Sequence, residues 1–487
     1  MLTYSMDGRG PLYERLYRHI RDDILSGTLR AGERLPSRRA LSEHLRVSVT
    51  TVEAAYRQLE AEGYVAIRTR RGAFVCETDR PPRPITAEKR DALTDNALSD
   101  WRDASDTASD GGPETDLFGA ETASRIWKLD LTDNRPDLSC CPAAALSRLT
   151  RQTLSDSLEQ LFIPSPPQGL PELRQAIADE LREFRGMSVA PEQIIVGAGA
   201  EYLYLLLPQL LGPSALFALE DPGYLKIRQV YRNCGAKLSC LPMDAHGIRM
   251  DALRESGANV AHISPAHHYP TGLVTPIGRR HALLRWAEES GAMLIEDDYD
   301  SELRFTGRPI PTLQSVDRAG RVLYMNTFSQ TISPSLRVGY LILPPSLMET
   351  YRQKLSSYAC AVPTLEQRVL ARFLSSGQYG QHLSRLRKAY RTRRAAVLDA
   401  FRKSGFSDRV TISEQGAGLH FLLKLDTPYD DETLRRRAET VGVRLRFLSD
   451  CADKPSPQYA HTLVIHYAGL PPERLRDAVK LLSDALF

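Results

Sequence analysis

Several short runs in this chain carry side chains able to do chemistry, and most of them close an apolar stretch. In L-I-E-D-D-Y-D-S-E-L (294–303) a cluster of carboxylates, Asp297 among them, and the phenol Tyr299 follow an apolar run. Sheets of alternating strands and helices bind ligands at the carboxyl ends of their strands, so this is a ligand-facing position. V-G-A-G-A-E-Y (196–202) ends one apolar run and opens a helical one. Small residues there let backbone N–H groups approach an anion. E-D-P-G-Y (220–224) presents an aromatic face, Tyr224, which serves either packing or stacking. S-P-A-H-H-Y-P-T-G (264–272) sets His267 beside His268 on a Pro-broken loop. With no third ligand in register, that pair does not predict a metal site. Last comes the polar run T-F-S-Q-T-I-S-P-S-L-R (327–337). The seven Cys are scattered and form no C-x-x-C pair, which argues against zinc or a disulfide framework.

The elements that must position these residues fall into three zones. At 487 residues the chain is too long for one ordinary core. Residues 1–76 are rich in helix patterns and carry more Arg than Asp plus Glu, with no Lys. Residues 77–126 have few large apolar side chains and read as an acidic, flexible linker. A chain of that length spans on the order of 40 Å root-mean-square. From 127 to 487 apolar runs alternate with helical patterns, which predicts an α/β domain with a mixed, mostly parallel sheet and helices on both faces. A net charge of +3 confines any nucleic-acid surface to a local patch. The N-terminus lacks a signal-peptide pattern and no apolar run is long enough to span a membrane, so a cytoplasmic protein is expected.

Within the first zone, Leu12, Leu16, Ile20 and Ile24 recur every four residues, and Gly27 fits the end of that helix. Pro36 and Ser37 suit a second helix start, followed by Ala40, Leu41 and Leu45. Ser48 begins a third, whose buried face is Val52, Ala55, Tyr56 and Leu59, and Gly63 stops it. Y-V-A-I-R-T-R-R-G-A-F-V (64–75) then alternates as a basic hairpin. Together these elements make a winged helix-turn-helix, in which the second helix of the motif offers its N-terminal residues to base edges and the wing meets phosphate or minor groove.

The run L-S-G-T-L-R-A-G-E-R-L-P-S-R-R-A-L-S-E-H-L-R-V-S, with A-A-Y-R-Q-L-E-A-E-G-Y-V and G-A-F-V, resembles the GntR-type DNA-binding domain. That resemblance implies a double-stranded operator as partner, read by Arg38, Arg39, Ser48, Val49, Thr50, Thr51, Arg70 and Arg71. Val49 stands where relatives often have Arg, so a guanine contact is lost and an altered operator is expected. The later runs, in their order and spacing, resemble fold-type I pyridoxal-phosphate aminotransferases, and the combination resembles the MocR/GabR group of regulators. The resemblance implies that Asp297 pairs with a pyridine nitrogen, Tyr299 with the ring oxygen and Tyr224 with the ring face. It implies further that Ala200, Glu201, Thr327, Ser329 and Arg337 hold the phosphate. It also implies a head-to-tail homodimer.

Three positions depart from the pattern. Gln330 occupies the place of the lysine that binds the cofactor covalently. An amide cannot condense with an aldehyde or shuttle the proton, so pyridoxal phosphate is expected to bind noncovalently if it binds. Pro164 replaces a Tyr that donates to phosphate, and Val464 replaces an Arg that holds a substrate carboxylate. Lys226, two residues after Tyr224, is a further candidate for an anion contact. The expectation is a non-enzymatic regulator that senses a small ligand. A working aminotransferase, and a C-terminal domain that is purely a dimer scaffold, stay open beside it, as does an isolated substitution at Gln330.

Overall fold

The computed structural model describes residues 2–6, 10–68, 71–78, 127–132, 136–156, 158–305, 307, 309–413, 416–470 and 472–487. Nearly all of the linker assigned to 77–126, and Arg70 of the wing, lie outside the described residues.

The reader is built from α1 (Leu12–Ser26), α2 (Arg38–Leu45), α3 (Val49–Ala61) and a hairpin of β1 (Val65–Arg68) with β2 (Gly72–Val75). Local signals set each boundary. Gly27 takes the left-handed conformation at the end of α1, Ser37 accepts from the Ala40 N–H to cap α2, and Ser48 accepts from the Thr51 N–H to cap α3. Leu16, Ile20, Leu41, Val52, Tyr56 and Leu59 form the core. Leu12 does not join it. It is the first residue of α1 and is 40% exposed.

The second unit is an eight-stranded sheet flanked by helices. Its elements are α4 (Pro171–Arg185), β3 (Ile194–Gly197), α5 (Ala200–Leu211), β4 (Leu216–Asp221), β5 (Lys237–Asp244), β6 (Gly247–Ile248), β7 (Val260–Ile263), α6 (Ile277–Ser290), β8 (Met293–Asp297), β9 (Val322–Thr327) and β10 (Gly339–Ile342). The strand order is β3-β10-β9-β8-β7-β4-β5-β6. Strands β4, β5, β7, β8 and β9 run parallel, and β10 runs antiparallel to both its neighbours. Strand alternation feeds two cores. Ile194 and Val196 pack with Leu173, Ile177 and Leu181 of α4, whereas Ile195 packs with Leu203, Leu207 and Leu210 of α5. A smaller antiparallel sheet, β11 (Val410–Ser413), β12 (His420–Leu425) and β13 (Thr462–His466), closes over the pocket side. No helix among the described residues is long and apolar enough to cross a membrane.

The reader is seated on the larger unit. The Ile277 N–H, at the start of α6, donates to the Glu62 carbonyl at the end of α3 over 3.1 Å. The Ile277 side chain enters the reader's core. A Cβ on Gly63 would stand 2.5 Å from Pro276 Cβ, so the left-handed Gly63 both ends α3 and permits this approach.

Candidate functional site

Strand β8 is buried along its whole length and delivers Asp297 at its carboxyl end. The Asp297 Oδ2 accepts from the Tyr204 hydroxyl at 2.7 Å, and His262 Nε2 lies 3.4 Å away. Tyr231 Oη sits 2.7 Å from His262 Nδ1, so a chain of hydrogen bonds from two helices and β7 fixes the carboxylate. Tyr299, on the following turn, places its hydroxyl 3.3 Å from His267 Nδ1, which pairs with Asp300 at 2.8 Å. Burial, with the Asp300 charge, keeps the Tyr299 phenol well above its ordinary range and therefore protonated.

Tyr224 meets the edge of Tyr269, ring centroids 5.5 Å apart. Tyr269 is held from the smaller sheet's side by Arg446 Nη1 at 3.2 Å and His466 Nε2 at 3.3 Å. Val464 shares its face of β13 with His466 and is fully buried, so no cation stands there. Arg446, whose carbonyl accepts from the Val464 N–H, brings a guanidinium to the neighbourhood instead, with no carboxylate partner among the described residues.

The turn between β3 and α5 carries the anion-binding features. Ala200 and Glu201 open α5, and Gly199 adopts φ 84°. Arg337 itself sits at φ 50° and lies over that turn, where a Cβ on Gly199 would be 2.5 Å from Arg337 Nη2. Its guanidinium donates to the Ala198 carbonyl at 3.1 Å and pairs with Glu201 at 2.6 Å. Lys226 pairs with the other Glu201 oxygen at 3.0 Å. Thr327 ends β9, and Ser329 and Gln330 follow in the turn after it. Because Met325 pairs with Asp297, this turn lies beside the Asp297 end of β8. The Gln330 Oε1 is buried and has no hydrogen-bond partner among the described residues.

On the reader, Arg39, Ser48, Val49, Thr50 and Arg71 are exposed and Thr51 is half-buried. Arg38 pairs with Glu53 at 3.1 Å, which also holds Arg57.

Comparison with known proteins follows the same division. The family described as "Bacterial regulatory proteins, gntR family" matches residues 12–75, and "Aminotransferase class I and II" matches residues 127–479. An uncharacterized HTH-type transcriptional regulator of Bacillus subtilis, YdeL, is 34% identical over 98% of this chain and 96% of its own. The probable rhizopine catabolism regulatory protein MocR of Rhizobium meliloti is 32% identical over 100% of this chain and 96% of its own. The chain belongs to the MocR-type regulators. Its larger unit also superimposes on the α-aminoadipate aminotransferase LysN of Thermus thermophilus, a structure complexed with N-(5'-phosphopyridoxyl)-L-leucine. That match has a TM-score of 0.65 and 26% identity, covering 74% of this chain and 92% of that one.

In this MocR-type chain the residues fit one half of pyridoxal phosphate. Asp297, braced by Tyr204 and His262, suits a protonated ring nitrogen, and Tyr224 and Tyr299 line the same region. The residues that would hold the phosphate half, Arg337 and Lys226, both pair with the Glu201 carboxylate, which competes for them. The regulator's sequence concealed Tyr204, His262, Tyr269 and Arg446. Two carried a signal: His262, a polar residue inside the apolar run N-V-A-H-I-S-P, and Tyr269, an aromatic in the Pro-broken run S-P-A-H-H-Y-P-T-G.

Behind Tyr224 and Tyr269 lies a cavity of about 30 Å³, lined by Glu220, His262, Ser264 and His268, with room for one water. Burial, with the Asp297 charge adding, pushes the Glu220 carboxyl up to about 8, while burial beside His267 lowers His268 to about 3. Folded protein thus retains a Glu220 proton that the unfolded chain releases above about pH 4.5. Stability from this group is complete below about pH 4.5 and is lost as pH rises to about 8, at up to about 1.4 kcal/mol per pH unit. Glu220→Gln is expected to flatten the urea-midpoint profile across that window by one proton. An unchanged slope would mean that Glu220 is ionised in the folded protein.

Proposed function

We propose that this protein is a DNA-binding transcriptional regulator whose aminotransferase-like unit senses a small ligand, of the pyridoxal or amino-acid-related kind, without covalent catalysis. The observation that carries the reading is continuity between pocket and reader. The segment that supplies His267, His268 and Tyr269 runs on to Pro276 and Ile277, which seat the end of α3. The segment from Asp297 runs on to Arg304 and Gly307, and Gly307 lies against Gln58 of α3. A ligand that moves either segment therefore acts on the helix that reads DNA. Thr50, Glu53 and Arg57 of α3 face a groove of about 1000 Å³ shared with Val274 and Pro276, so the seating also governs access to that helix.

Lack of enzymatic turnover follows from Gln330, which has no nucleophile to offer. The orphaned Gln330 Oε1 gives the pocket an acceptor for a ligand donor. A cytoplasmic homodimer is part of the reading. It is supported by Leu158, Phe162 and Ile163, exposed together beside the expected cross-dimer position Pro164. Two readers on one dimer favour an operator of two half-sites, direct or inverted.

The test is fluorescence anisotropy of the full chain on duplexes from its own upstream region, with pyridoxal and a panel of amino acids. Operator affinity is expected to change on ligand addition by about 5- to 150-fold. Arg39→Ala is expected to weaken binding to every duplex alike and lower the salt slope by about 1. Affinity indifferent to all ligands would replace sensing with a scaffold role. Absence of binding to any duplex would remove the regulator reading, and amino-acid turnover with a keto acid would restore the enzyme.

A further inference from the structure

The groups that would hold a ligand phosphate are already holding something. Arg337 and Lys226 reach the α5 N-terminus from different parts of the chain, and both close on the Glu201 carboxylate, at 2.6 and 3.0 Å. Glu201 itself stands in the first turn of α5, where backbone N–H groups have no intrahelical acceptor. One guanidinium, one ammonium and one helix-terminal N–H are the donor set of a phosphate cup. Burial alone would push Glu201 up, but Arg337 and Lys226 outweigh it and hold the carboxyl at about 2, so it is an anion at every working pH. Gly199 belongs to the arrangement, since any larger residue would displace the Arg337 guanidinium.

We propose that Glu201 is the protein's own anion in this cup, and that the pocket takes a phosphate-free heteroaromatic ligand with a protonated ring nitrogen. The ring half of the claim rests on the sensing reading given above, whereas the cup half stands on the Glu201 contacts alone. Two cations and one carboxylate leave a single net positive charge. A phosphate dianion entering there overcharges the cup and meets Glu201 at close range, whereas a neutral hydroxymethyl group in its place does neither. A phosphorylated ligand must compete with Glu201 for both cations, which stand partly open to solvent, whereas a phosphate-free one leaves the ion pairs intact. Glu201 thus acts as a specificity residue that weakens phosphate binding by neutralising part of the cup and competing for Arg337 and Lys226.

The test compares wild type with E201Q, the full chain in both cases. Binding of pyridoxal and of pyridoxal 5'-phosphate is measured by calorimetry, and binding of inorganic phosphate by ³¹P line broadening. Circular dichroism confirms that the substituted chain is folded. Wild type is expected to bind pyridoxal at least as tightly as pyridoxal 5'-phosphate and to leave the phosphate signal sharp. E201Q is expected to shift the preference toward pyridoxal 5'-phosphate by about tenfold or more and to bind inorganic phosphate. A wild-type preference for the phosphorylated compound that E201Q leaves unchanged would overturn the inference while leaving the sensing pocket standing. If neither protein binds either ring compound, the ring reading falls. Gain of inorganic phosphate by E201Q would then still uphold the role of Glu201, and no gain would overturn it as well.

Discussion

Asp298→Ala is expected to destabilise the aminotransferase-like unit by about 3–5 kcal/mol, because it strands a buried guanidinium. Strand alternation turns Asp298 away from Asp297 and toward α4, where Arg185 Nη2 donates to its Oδ2 at 2.6 Å. Both side chains are almost wholly buried, at 2% and 1% exposure. The same oxygen accepts from the Tyr324 hydroxyl at 2.6 Å and from Ser301 Oγ at 2.9 Å, so three donors lose their acceptor together. Glu296 and Glu302 lie close by. Burial, with the Asp298 charge second, raises each of them to about 7, and removing that charge lets them ionise more readily and return part of the loss. Urea unfolding followed by circular dichroism measures the effect as a midpoint shift at common slope. Pairing Asp298→Leu with Arg185→Met removes both charges and is expected to recover more than half of the loss. A single substitution that shifts the midpoint by less than about 1 kcal/mol, or a double that is worse than the single, would show that the cost of a stranded buried charge does not set the effect.

What the sequence made legible is local, and what it hid is long-range. The ends of α1, α2 and α3 are written in Gly27, Ser37, Ser48 and Gly63, whose backbone or side-chain behaviour depends on near neighbours. The placement of Asp297, Tyr299 and Thr327 at or just past strand ends follows from apolar runs closed by polar residues, whereas the pairing of β8 with β9 is seen only in the structure. Nothing in those patterns tells that Tyr204, 93 residues earlier in the chain, donates to Asp297. Nor does spacing reveal that Glu201 captures Arg337 across 136 residues, because three segments must first be packed together before the three charges meet. The motif therefore pointed to the turn where Arg337 and Lys226 converge and gave no sign that the Glu201 carboxylate pairs with both. The seating of α3 on Pro276 and Ile277 is hidden for the same reason, since Gly63 reads locally as a helix stop and its second role appears only against α6.

Gly418→Ala is expected to lower stability strongly for a single added methyl, and to uncouple ligand from DNA as well. Gly418 sits at φ 70°, where a side chain is strained, and an added Cβ would overlap His267 Cε1 and stand 2.8 Å from Asp300 Oδ2. Backbone strain and overpacking together correspond to a loss of about 2–4 kcal/mol. The position is also a seam. The Gly418 N–H donates to the Leu303 carbonyl at 3.0 Å, and the Gly418 carbonyl accepts from the Tyr467 hydroxyl, so one residue ties the smaller sheet to the turn that follows Asp297. Relief of the clash has to push the His267–Asp300 pair away from the smaller sheet, which loosens the loop running to Pro276 and Ile277. Gly405→Ala supplies the control, because nothing lies within 4 Å of its added Cβ, and it is expected to stay within about 1 kcal/mol of wild type. Parallel urea midpoints, and operator anisotropy with and without ligand, decide the matter. Gly418→Ala should unfold earlier than the control and hold one operator affinity whatever ligand is present. Equal midpoints for the two alanines would show that the seam yields without strain. A preserved ligand response in Gly418→Ala would move the coupling out of the His267 loop and into the segment that reaches Gln58 through Arg304 and Gly307.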